Sequence, residues 1–394
     1  MGFTYNFDVM QIAAIENIKQ VCKDRKIKCY LVGGAMRDAL LKIPPRDIDI
    51  CVESDPKELL QELDIKEYKY YDDFHTAVVT FKNGTEIDLI SCRKEEYEID
   101  GSLPKVFTGT ITEDLKRRDF TVNAIAFDLI EKKLLDPYKG TSDIKAKVIT
   151  SVHEKSYEED PTRIFRAIKY SIRYGFEIKD MDEMEKALKK NVFNSISNER
   201  YYKEIFSICQ EEKWNQIFIE CNNRRILNLH LSNLRKDNFL IDYKDIDMRL
   251  LNFAWCLKEE NQFNKIINNS LIKKELKKSL KNHPDNNLDS LLLEAQDNYN
   301  IYCIMKNINV YDGILLAYNY KLKYKLIYFL NHIDYFKLNI SGEYVKNKIT
   351  VQGESVGLIL EYIKKLKLNI GIWDEKKYFN ENLEEISDVV KYKA

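Results

Sequence analysis

The sequence lacks the features of several common protein classes. Its 8 cysteines include no CxxC pair, so the sequence indicates neither a zinc site nor a disulfide framework. The 62 Lys and Arg residues nearly match the 63 Asp and Glu residues, which argues against a surface coated in positive charge but allows a local basic groove. No apolar run approaches the ~18 residues that span a bilayer, and the first residues lack a signal peptide's basic start and apolar core. We therefore expect a cytoplasmic protein with reduced thiols and no membrane contact.

Proline and glycine are scarce in the second part of the chain. Six of the 7 prolines lie at or before Pro161, and no glycine occurs between Gly175 and Gly313. Because these residues interrupt regular structure, the chain is predicted to be mixed strand and turn up to about residue 150 and helical beyond it. A length of 394 residues allows several domains. The predicted fold class is α+β, a sheet domain followed by an all-α region.

Residues 31–52, LVGGAMRDALLKIPPRDIDICV, are predicted to form a strand, a glycine turn, a helix and a second strand. Gly33 and Gly34 let the backbone turn tightly and approach a ligand closely. The helix after them directs its free N–H groups and the positive end of its dipole at this turn. Arg37 stands one turn into that helix. A phosphate group is the expected ligand.

Two aspartates follow that helix. Residues 46–52 alternate polar with apolar side chains, which places Asp47 and Asp49 on one face of a strand. Neighbouring carboxylates repel one another, and a divalent metal ion relieves the repulsion. A strand predicted over residues 86–91 brings Asp88 beside them as a third carboxylate, as a two-metal site requires. The alternative for Asp88 is a hydrogen-bonded strand residue without a metal.

The other elements of this part follow from short patterns. Apolar residues with helical spacing, Ile12 among them, predict a helix over residues 8–26 that covers one sheet face. Strands are predicted at residues 68–71 and 77–81, and an Asn-Gly pair predicts a hairpin between the second of these and the strand at 86–91. Residues 95–111 show no periodicity and are predicted to form a long loop.

Two further segments carry positive charge. In residues 117–126, RRDFTVNAIA, the arginine pair can neutralise triphosphate oxygens and Asn123 can hydrogen-bond a ribose hydroxyl. Residues 158–169, EEDPTRIFRAIK, predict a helix start at Asp160. At 100° per residue, apolar side chains share one arc and three basic side chains lie opposite. The sequence therefore predicts one core face and one charged face, the latter formed by Arg163, Arg166 and Lys169.

These strings together resemble known motifs. GGAMRDALL with RDIDI, RRDFTVNAIA and EDPTRIFR resemble the motifs of class II tRNA nucleotidyltransferases and bacterial poly(A) polymerases, whose sheet domain is similar to that of polymerase beta. Weaker similarity extends to residues 135–147, 196–205 and 338–360. The first of these is interpreted as a hinge. The second is interpreted as a helix start that Ser197 or Asn198 caps and in which Glu199 and Arg200 brace the preceding motif.

The resemblance implies a domain plan and a set of roles. It implies a nucleotidyltransferase head at residues 1–150, a nucleobase-recognising neck at 151–210, and a helical body and tail at 211–394 that bind tRNA. Asp47 and Asp49 would hold Mg²⁺ and act with Asp88 in catalysis. Asp160 and Arg163 would read the Watson–Crick edge of the incoming base. The full set of implied nucleotide-binding residues is Gly33, Gly34, Arg37, Arg118, Asn123, Asp160, Arg163, Arg166 and Lys169.

The implied activity is template-independent addition of CMP and AMP, from CTP and ATP, to the 3′ end of tRNA. Addition of A alone or of CC alone and poly(A) synthesis share the same motifs. A full-length loop at residues 94–116 argues against CC-only addition, and the lack of a long basic tail argues against poly(A) synthesis. Two other classes remain as alternatives: an RNA-binding relative with an inactive site, and an enzyme that transfers nucleotides to small molecules. The intact acidic pair disfavours the first, and the long helical part disfavours the second.

Overall fold

The computed structural model describes residues 7–96, 105–232, 234, 246–281, 286–317, 322–331, 336–372 and 374–391. The chain divides into two compact units, residues 1–227 and residues 228–394. The first unit contains a mixed sheet with helices, and the regular structure described in the second is helical. The predicted α+β fold class is confirmed. The predicted borders at residues 150 and 210 both fall inside the first unit.

The strands lie in the first unit. In chain order they are β1 (Cys29–Val32), β2 (Asp49–Val52), β3 (Ile65–Tyr71), β4 (Thr76–Phe81), β5 (Glu86–Ser91), β6 (Arg93–Glu96), β7 (Lys105–Thr108), β8 (Ala126–Asp128), β9 (Lys133–Leu135), β10 (Val148–Ile149) and β11 (Glu177–Ile178). Seven of them form one sheet in the order β3-β4-β5-β2-β1-β8-β9. β2 and β5 are parallel, and the other neighbours in this sheet are antiparallel.

The helices of the first unit surround this sheet and continue beyond it. They are α1 (Val9–Asp24), α2 (Gly33–Leu41), α3 (Ile111–Lys116), α4 (Gly140–Ala146), α5 (Ser156–Glu159), α6 (Thr162–Tyr174), α7 (Met181–Lys189), α8 (Asn198–Cys209) and α9 (Trp214–Asn223). Short 3-10 helices occur at Pro56–Glu58, Asp72–Phe74, Thr121–Asn123 and Val192–Ser195.

The patterns in the first hundred residues predict most of these elements. The strands at β1 and β5 are confirmed, as is the β4–β5 hairpin. The N-terminal helix is also confirmed, and Asp8 caps it by accepting a hydrogen bond from the backbone N–H of Gln11 at 2.8 Å. Its buried face contains Ile15 and Ile18, whereas Ile12 is 43% exposed. The prediction that Ile12 packs on the sheet is therefore wrong.

The long loop predicted over residues 95–111 is wrong at both ends. β6 and β7 pair as an antiparallel ladder that joins Arg93 with Thr108 and Glu96 with Lys105. Backbone pairing needs no apolar periodicity, so this mostly polar ribbon gave no sequence signal. The middle of the predicted loop, residues 97–104, lies outside the described residues.

Helix α6 differs from its prediction on the charged face. Ile164, Phe165 and Ile168 are buried as expected. Arg163 and Lys169 are buried too, with only 4% and 6% exposure. A helical wheel shows only on which side of its own helix a residue lies and takes no account of neighbouring helices. Here α8 and α9 pack against α6. Protein acceptors take the place of water around the basic side chains of Arg163 and Lys169.

The second unit contains α10 (Ile246–Cys256), α11 (Glu260–Ile267), α12 (Lys274–Lys281), α13 (Asn286–Glu294), α14 (Asn298–Met305), α15 (Val310–Ala317), α16 (Lys323–Asn331), α17 (Gly342–Lys348), α18 (Glu354–Ile370), α19 (Glu375–Glu381) and α20 (Leu383–Lys391). Around α17 to α20, an apolar cluster that includes Val345, Ile359 and Phe379 forms a core. A buried ion pair between Lys367 and Glu375 links α18 to α19. Among the described residues, no helix has the length and apolar content needed to cross a bilayer.

Candidate active site

A cavity of about 670 Å³ lies in the first unit, beside the C-terminal end of β1. It brings together residues that are far apart in the sequence, from α2, β2, the segment after α3, and α6. Of the residues predicted for the site, those lining the cavity are Gly33, Gly34, Arg37, Asp47, Asp49, Arg118, Asn123, Asp160, Arg163 and Arg166. Asp88 and Lys169 are not among the lining residues.

The acidic side of the cavity is built by β2 and its parallel neighbour β5. Ile48 and Ile50 are buried, so the alternation predicted for this segment is confirmed, although the strand itself begins at Asp49. Asp49 faces Asp88 across the β2–β5 pair. A hydrogen bond of 2.9 Å from the backbone N–H of Asp88 to the carbonyl oxygen of Ile48 continues this pairing toward Asp47.

The electrostatics of these carboxylates favour a cation. Burial is the main cause that raises the pKa of Asp49 to about 6; Arg118 opposes it, and Asp88 and Asp47 add to it. Burial and the charge of Asp47 also raise the pKa of Asp88. An acidic set with too little compensating charge fits a divalent ion with oxygen ligands. Within the described ranges, no group of three or more His, Cys, Asp or Glu side chains has the arrangement of a metal site.

Gly33 is where the acidic and basic sides meet. Its φ of +65° lies in the left-handed region, which glycine adopts at no steric cost. A Cβ at this position would lie 2.9 Å from Nη1 of Arg118 and 3.0 Å from Oδ2 of Asp49. Any side chain would therefore displace both charged groups. The glycine predicted for close approach of a ligand is required by the structure even before a ligand binds.

The basic side is held in place by a residue that the motif analysis did not select. Asp114, on α3, is fully buried and bridges two arginines: its Oδ1 accepts from Arg117 and its Oδ2 from Arg118, each at 2.6 Å. Burial alone would raise the pKa of Asp114, but the charges and hydrogen bonds of the arginines outweigh it and lower that pKa to about 2. The spacing of three and four residues in TEDLKRR is the signal that could have identified this contact.

Asn123 is fixed between two charged residues. Nη1 of Arg37 donates to its side-chain oxygen at 2.6 Å, and its Nδ2 donates to Asp119 at 2.9 Å. The Arg37 guanidinium also pairs with Asp38 and lies 4.7 Å from the ring centre of Tyr174. Arg37 is therefore engaged by protein groups on several sides, and it orients the amide of Asn123.

Residues 135–147 support the 3-10 helix Thr121–Asn123. A Cβ on Gly140 would lie 2.0 Å from the carbonyl oxygen of Thr121, so only glycine allows α4 to approach this closely. Asp136 accepts hydrogen bonds from the backbone N–H groups of Gly140 and Thr141 at the start of α4. Asp143 accepts from the Thr121 hydroxyl at 2.5 Å. Helix α4 thus packs closely against the 3-10 helix that carries Asn123 and is hydrogen-bonded to it.

Helix α6 supplies the far side of the cavity. Oδ1 of Asp160 accepts from the backbone N–H of Thr162 at 3.0 Å and from Arg200 at 2.6 Å, which confirms the brace expected from Arg200. Arg163 donates to the hydroxyl of Ser156 at 2.6 Å and to the carbonyl oxygen of Arg117 at 2.8 Å. Asp160 and Arg163 thus line the same cavity; the backbone N–H of Arg163 donates to the carbonyl oxygen of Asp160 at 3.0 Å, while their side chains bind the different partners named above.

Arg166 and Lys169 have different surroundings. Arg166 donates from Nε to Asp119 at 2.8 Å and lies on the cavity. Lys169 points instead toward α8, where its ammonium group donates to Ser207 at 2.7 Å and lies 3.7 Å from Glu204. The structure therefore gathers three of the four predicted α6 and pre-α6 residues at the cavity and places the fourth between helices.

Comparison with known proteins identifies the sheet region. Residues 29–150 match the model of the poly A polymerase head domain family. These residues are similar to that family's head domain. The match covers the acidic strand, Gly33 and the arginine pair. It ends at residue 150, before α5 and α6. Enzymes built on this nucleotidyltransferase domain use divalent metal ions, which agrees with the acidic side of the cavity.

Individual relatives extend the similarity. An A-adding tRNA nucleotidyltransferase from Geobacter sulfurreducens is 33% identical over 210 residues, which are 51% of this chain and 24% of the relative. The chain therefore spans about a quarter of that relative's length. A CCA-adding enzyme from Streptococcus uberis is 27% identical over 384 residues, 89% of this chain and 91% of that enzyme. A solved apo structure of a CCA-adding enzyme superposes with a TM-score of 0.71 at 25% identity and covers 96% of both chains. The family resemblance inferred from the motifs is confirmed.

Proposed function

We propose that this chain is a tRNA nucleotidyltransferase that adds CMP and AMP to the tRNA 3′ end without a nucleic-acid template. The observation that carries the proposal is the junction at Gly33, where Asp49 of the acidic side and Arg118 of the basic side approach the same backbone position within one cavity. Nucleotidyl transfer needs this pairing of charges. A triphosphate requires donors, and the reacting hydroxyl and phosphate require a cation held by carboxylates.

The reaction joins the tRNA 3′-hydroxyl oxygen to the α-phosphorus of CTP or ATP. The bond from that phosphorus to the oxygen that bridges the α- and β-phosphates breaks, pyrophosphate leaves with that oxygen, and the hydroxyl's proton passes to solvent water. Mg²⁺ held by Asp47 and Asp49 would lower the hydroxyl's pKa and neutralise charge on the phosphates. Arg118, oriented by Asp114, donates to the triphosphate, and the N–H groups at the start of α2 add to this site.

The remaining cavity residues would select the nucleotide. Asn123, fixed by Arg37 and Asp119, is placed to hydrogen-bond a ribose hydroxyl. Asp160 supplies an acceptor and Arg163 a donor on the α6 side, which is the combination that the exposed edge of cytosine or adenine requires. Since the lining lacks Lys169, we do not assign it to the nucleotide.

Addition of A alone is the second candidate, because A-adding and CCA-adding relatives both resemble this chain. Both candidates use the same cavity and differ in whether CTP is accepted. The proposal includes a cytoplasmic location, which the eight free cysteines support.

Three acceptors test the proposal. The purified chain is incubated with Mg²⁺ and labelled CTP or ATP, and with tRNA lacking all three terminal nucleotides, tRNA ending in CC, or oligo(A). CCA addition predicts incorporation of CMP into the first and of AMP into the second, with oligo(A) unextended. Incorporation of AMP into the second alone identifies an A-adding enzyme. Extension of oligo(A) with both tRNAs unmodified would contradict the proposal.

A further inference from the structure

The open face of the sheet carries more than the acidic residues. Across the pairs β2–β5, β5–β4 and β4–β3, the register aligns Asp49 with Asp88, Val78 and Lys69. Two residues along each strand, the same register aligns Cys51 with Ile90, Thr76 and Tyr71. Because side chains on a strand alternate with a period of two, both rows project from the same face. Tyr71 therefore shares a sheet face with the acidic pair Asp49 and Asp88.

Two exposed aromatic side chains lie at this end of the face. Tyr71 is 40% exposed, and Phe74, in the 3-10 helix between β3 and β4, is 47% exposed. Both line the cavity that contains Asp47 and Asp49. Two large aromatic surfaces open to solvent beside a catalytic centre are costly to leave exposed, and they are typical of a ligand-stacking site. We call these two side chains the aromatic platform.

The platform lies on the opposite side of the acidic strand from the predicted nucleotide site. β2 lies between β1, which ends just before Gly33, and β5. The platform lies beyond β5, on β3 and the turn after it. In phosphoryl transfer the attacking oxygen and the leaving oxygen are roughly in line across the phosphorus. If the triphosphate occupies the Gly33 and Arg118 side, the attacking hydroxyl has to arrive from the β5 and β4 side.

The distance between Asp88 and Tyr71 matches the length of one nucleotide. Tyr71 is two strands from Asp88 and two residues further along, so a strand spacing of about 4.8 Å and a rise of about 3.4 Å separate their Cα atoms by about 12 Å. A terminal nucleotide whose 3′-hydroxyl reaches the carboxylates would extend its base toward the aromatic rings.

We propose that Tyr71 and Phe74 stack against the terminal base of the RNA acceptor and so place its 3′-hydroxyl at the carboxylates of Asp49 and Asp88. This inference rests on the proposed function for the identity of the acceptor. Stacking suits an acceptor end that changes at every addition, because every base has a π-face and stacking tolerates any sequence. Lys69, whose ammonium lies 4.9 Å from the ring centre of Tyr71, adds positive charge for the backbone phosphate of the same nucleotide.

Replacement of the platform and of a matched tyrosine tests the proposal. The variants are Tyr71→Leu, Phe74→Leu and their combination, and the control is Tyr68→Leu. Tyr68 is on the same strand, is 55% exposed, and points to the other face because it is an odd number of residues from Tyr71. Each platform variant should raise the KM for tRNA about 10-fold, since one stacked base contributes this order of affinity. The KM for CTP and the thermal unfolding temperature should match those of the control.

A base-deletion acceptor gives a second readout that a structural defect would not change. The unmodified chain should bind an acceptor whose terminal nucleotide lacks its base about 10-fold more weakly than it binds the normal acceptor. The double variant should bind the two acceptors equally well. Binding is measured by fluorescence anisotropy of labelled acceptor without CTP or ATP. A chain that binds RNA in this way but transfers no nucleotide would refute the proposed function and leave the platform supported.

Three results would overturn the platform. In the first, Tyr71→Leu and Phe74→Leu change tRNA binding no more than Tyr68→Leu does. In the second, the variants raise the KM for CTP and leave tRNA binding unchanged, which would mean that the rings stack on the incoming base. Equal loss from base deletion in the unmodified chain and the double variant would also contradict it, because the base and the rings would then act independently.

Discussion

Buried charge is distributed very differently in the two units. In the described residues of the first unit, the buried charged side chains are Arg37, Asp38, Asp114, Asp119, Asp128, Arg163, Lys169, Asp180 and Glu211, and in those of the second they are Asp247, Lys367 and Glu375. Desolvating a charge costs free energy that only well-placed partners offset. Fold stability alone gives little reason to bury so many. Their concentration in the first unit indicates side chains held in place for chemistry.

The buried pair of the second unit has a simpler role. Lys367 contacts Glu375, donates to the carbonyl oxygen of Lys337 at 2.7 Å, and thereby ties α18 to the segment before α17. The other oxygen of Glu375 accepts from the backbone N–H of Asn339 at 2.7 Å. This network borders an apolar core. The comparison therefore separates buried charges that orient a reactive group from buried charges that only join helices.

The largest effect should come from the acidic side of the cavity. Asp49→Asn keeps the size of the side chain and removes the charge that would hold the metal ion. We expect the rate of nucleotide addition to tRNA to fall by about 1,000-fold or more, because metal ions supply several kcal/mol of transition-state stabilisation. Asp64→Asn, on an exposed ion pair with Lys82, is the control and should retain activity. Single-turnover assays measure both, and near-normal addition by Asp49→Asn would refute its metal role.

One buried carboxylate from each unit sharpens the comparison. Asp114→Asn replaces one carboxylate oxygen with an amide N–H₂ group, which then faces a guanidinium group instead of accepting from it. Glu375→Gln likewise places an amide N–H₂ group beside the ammonium group of Lys367. Each change should lower the free energy of unfolding by about 3 kcal/mol, because it leaves a buried charge unpaired. Only Asp114→Asn should also raise the KM for CTP, since Asp114 orients Arg118. Urea unfolding and steady-state kinetics separate the two effects. An equal KM in both variants would show that Asp114 is merely structural.

Acid should weaken the first unit through the same residues. Burial opposes ionisation of Asp119, but Arg166, Asn123 and Arg163 outweigh it and lower its pKa to about 2, as the arginine pair does for Asp114. A carboxylate with a lowered folded-state pKa contributes stability that is complete above the unfolded pKa of about 3.9 and is lost as the pH falls toward 2. Each should account for on the order of 2 kcal/mol. Urea unfolding between pH 6 and pH 2.5 measures the slope, which Asp119→Asn should reduce.

The sequence predicts the residues that line the cavity better than the residues that hold them in place. Asp49 and Gly33 occur in strings whose order and spacing are specific, so their convergence could be predicted before any coordinates. Asp114 could not be selected in this way, because an acid three or four residues before an arginine is common on solvated helices. The β6–β7 ribbon and the burial of Arg163 depend on contacts between distant segments, which periodicity within one segment does not encode.

The second unit marks the limit of sequence reasoning. Its helical content could be predicted because glycine and proline are scarce there. Its ion pair between Lys367 and Glu375 could not be predicted, since lysine and glutamate are frequent on exposed helix surfaces and no string singles these two out. Specific strings occur where chemistry constrains residue type, and packing alone accepts many alternatives.

The smallest catalytic effect should come from Lys169. Its comparison with Arg166 contrasts a structural and a cavity-lining basic residue on the same helix, α6. Lys169→Met removes the contacts with Ser207 and Glu204 between α6 and α8 and should lower the free energy of unfolding by about 2 kcal/mol, because Glu204 loses its buried partner. The KM for CTP and for ATP should change less than about 3-fold, a difference below 1 kcal/mol. Arg166→Lys, one turn away and on the cavity, is the matched variant and should raise both KM values about 10-fold, because lysine loses the planar fork that contacts Asp119. An increase in the KM for one nucleotide as large as that caused by Arg166→Lys would contradict this prediction. It would show that Lys169 contacts the base and that all three basic residues of α6 bind the nucleotide.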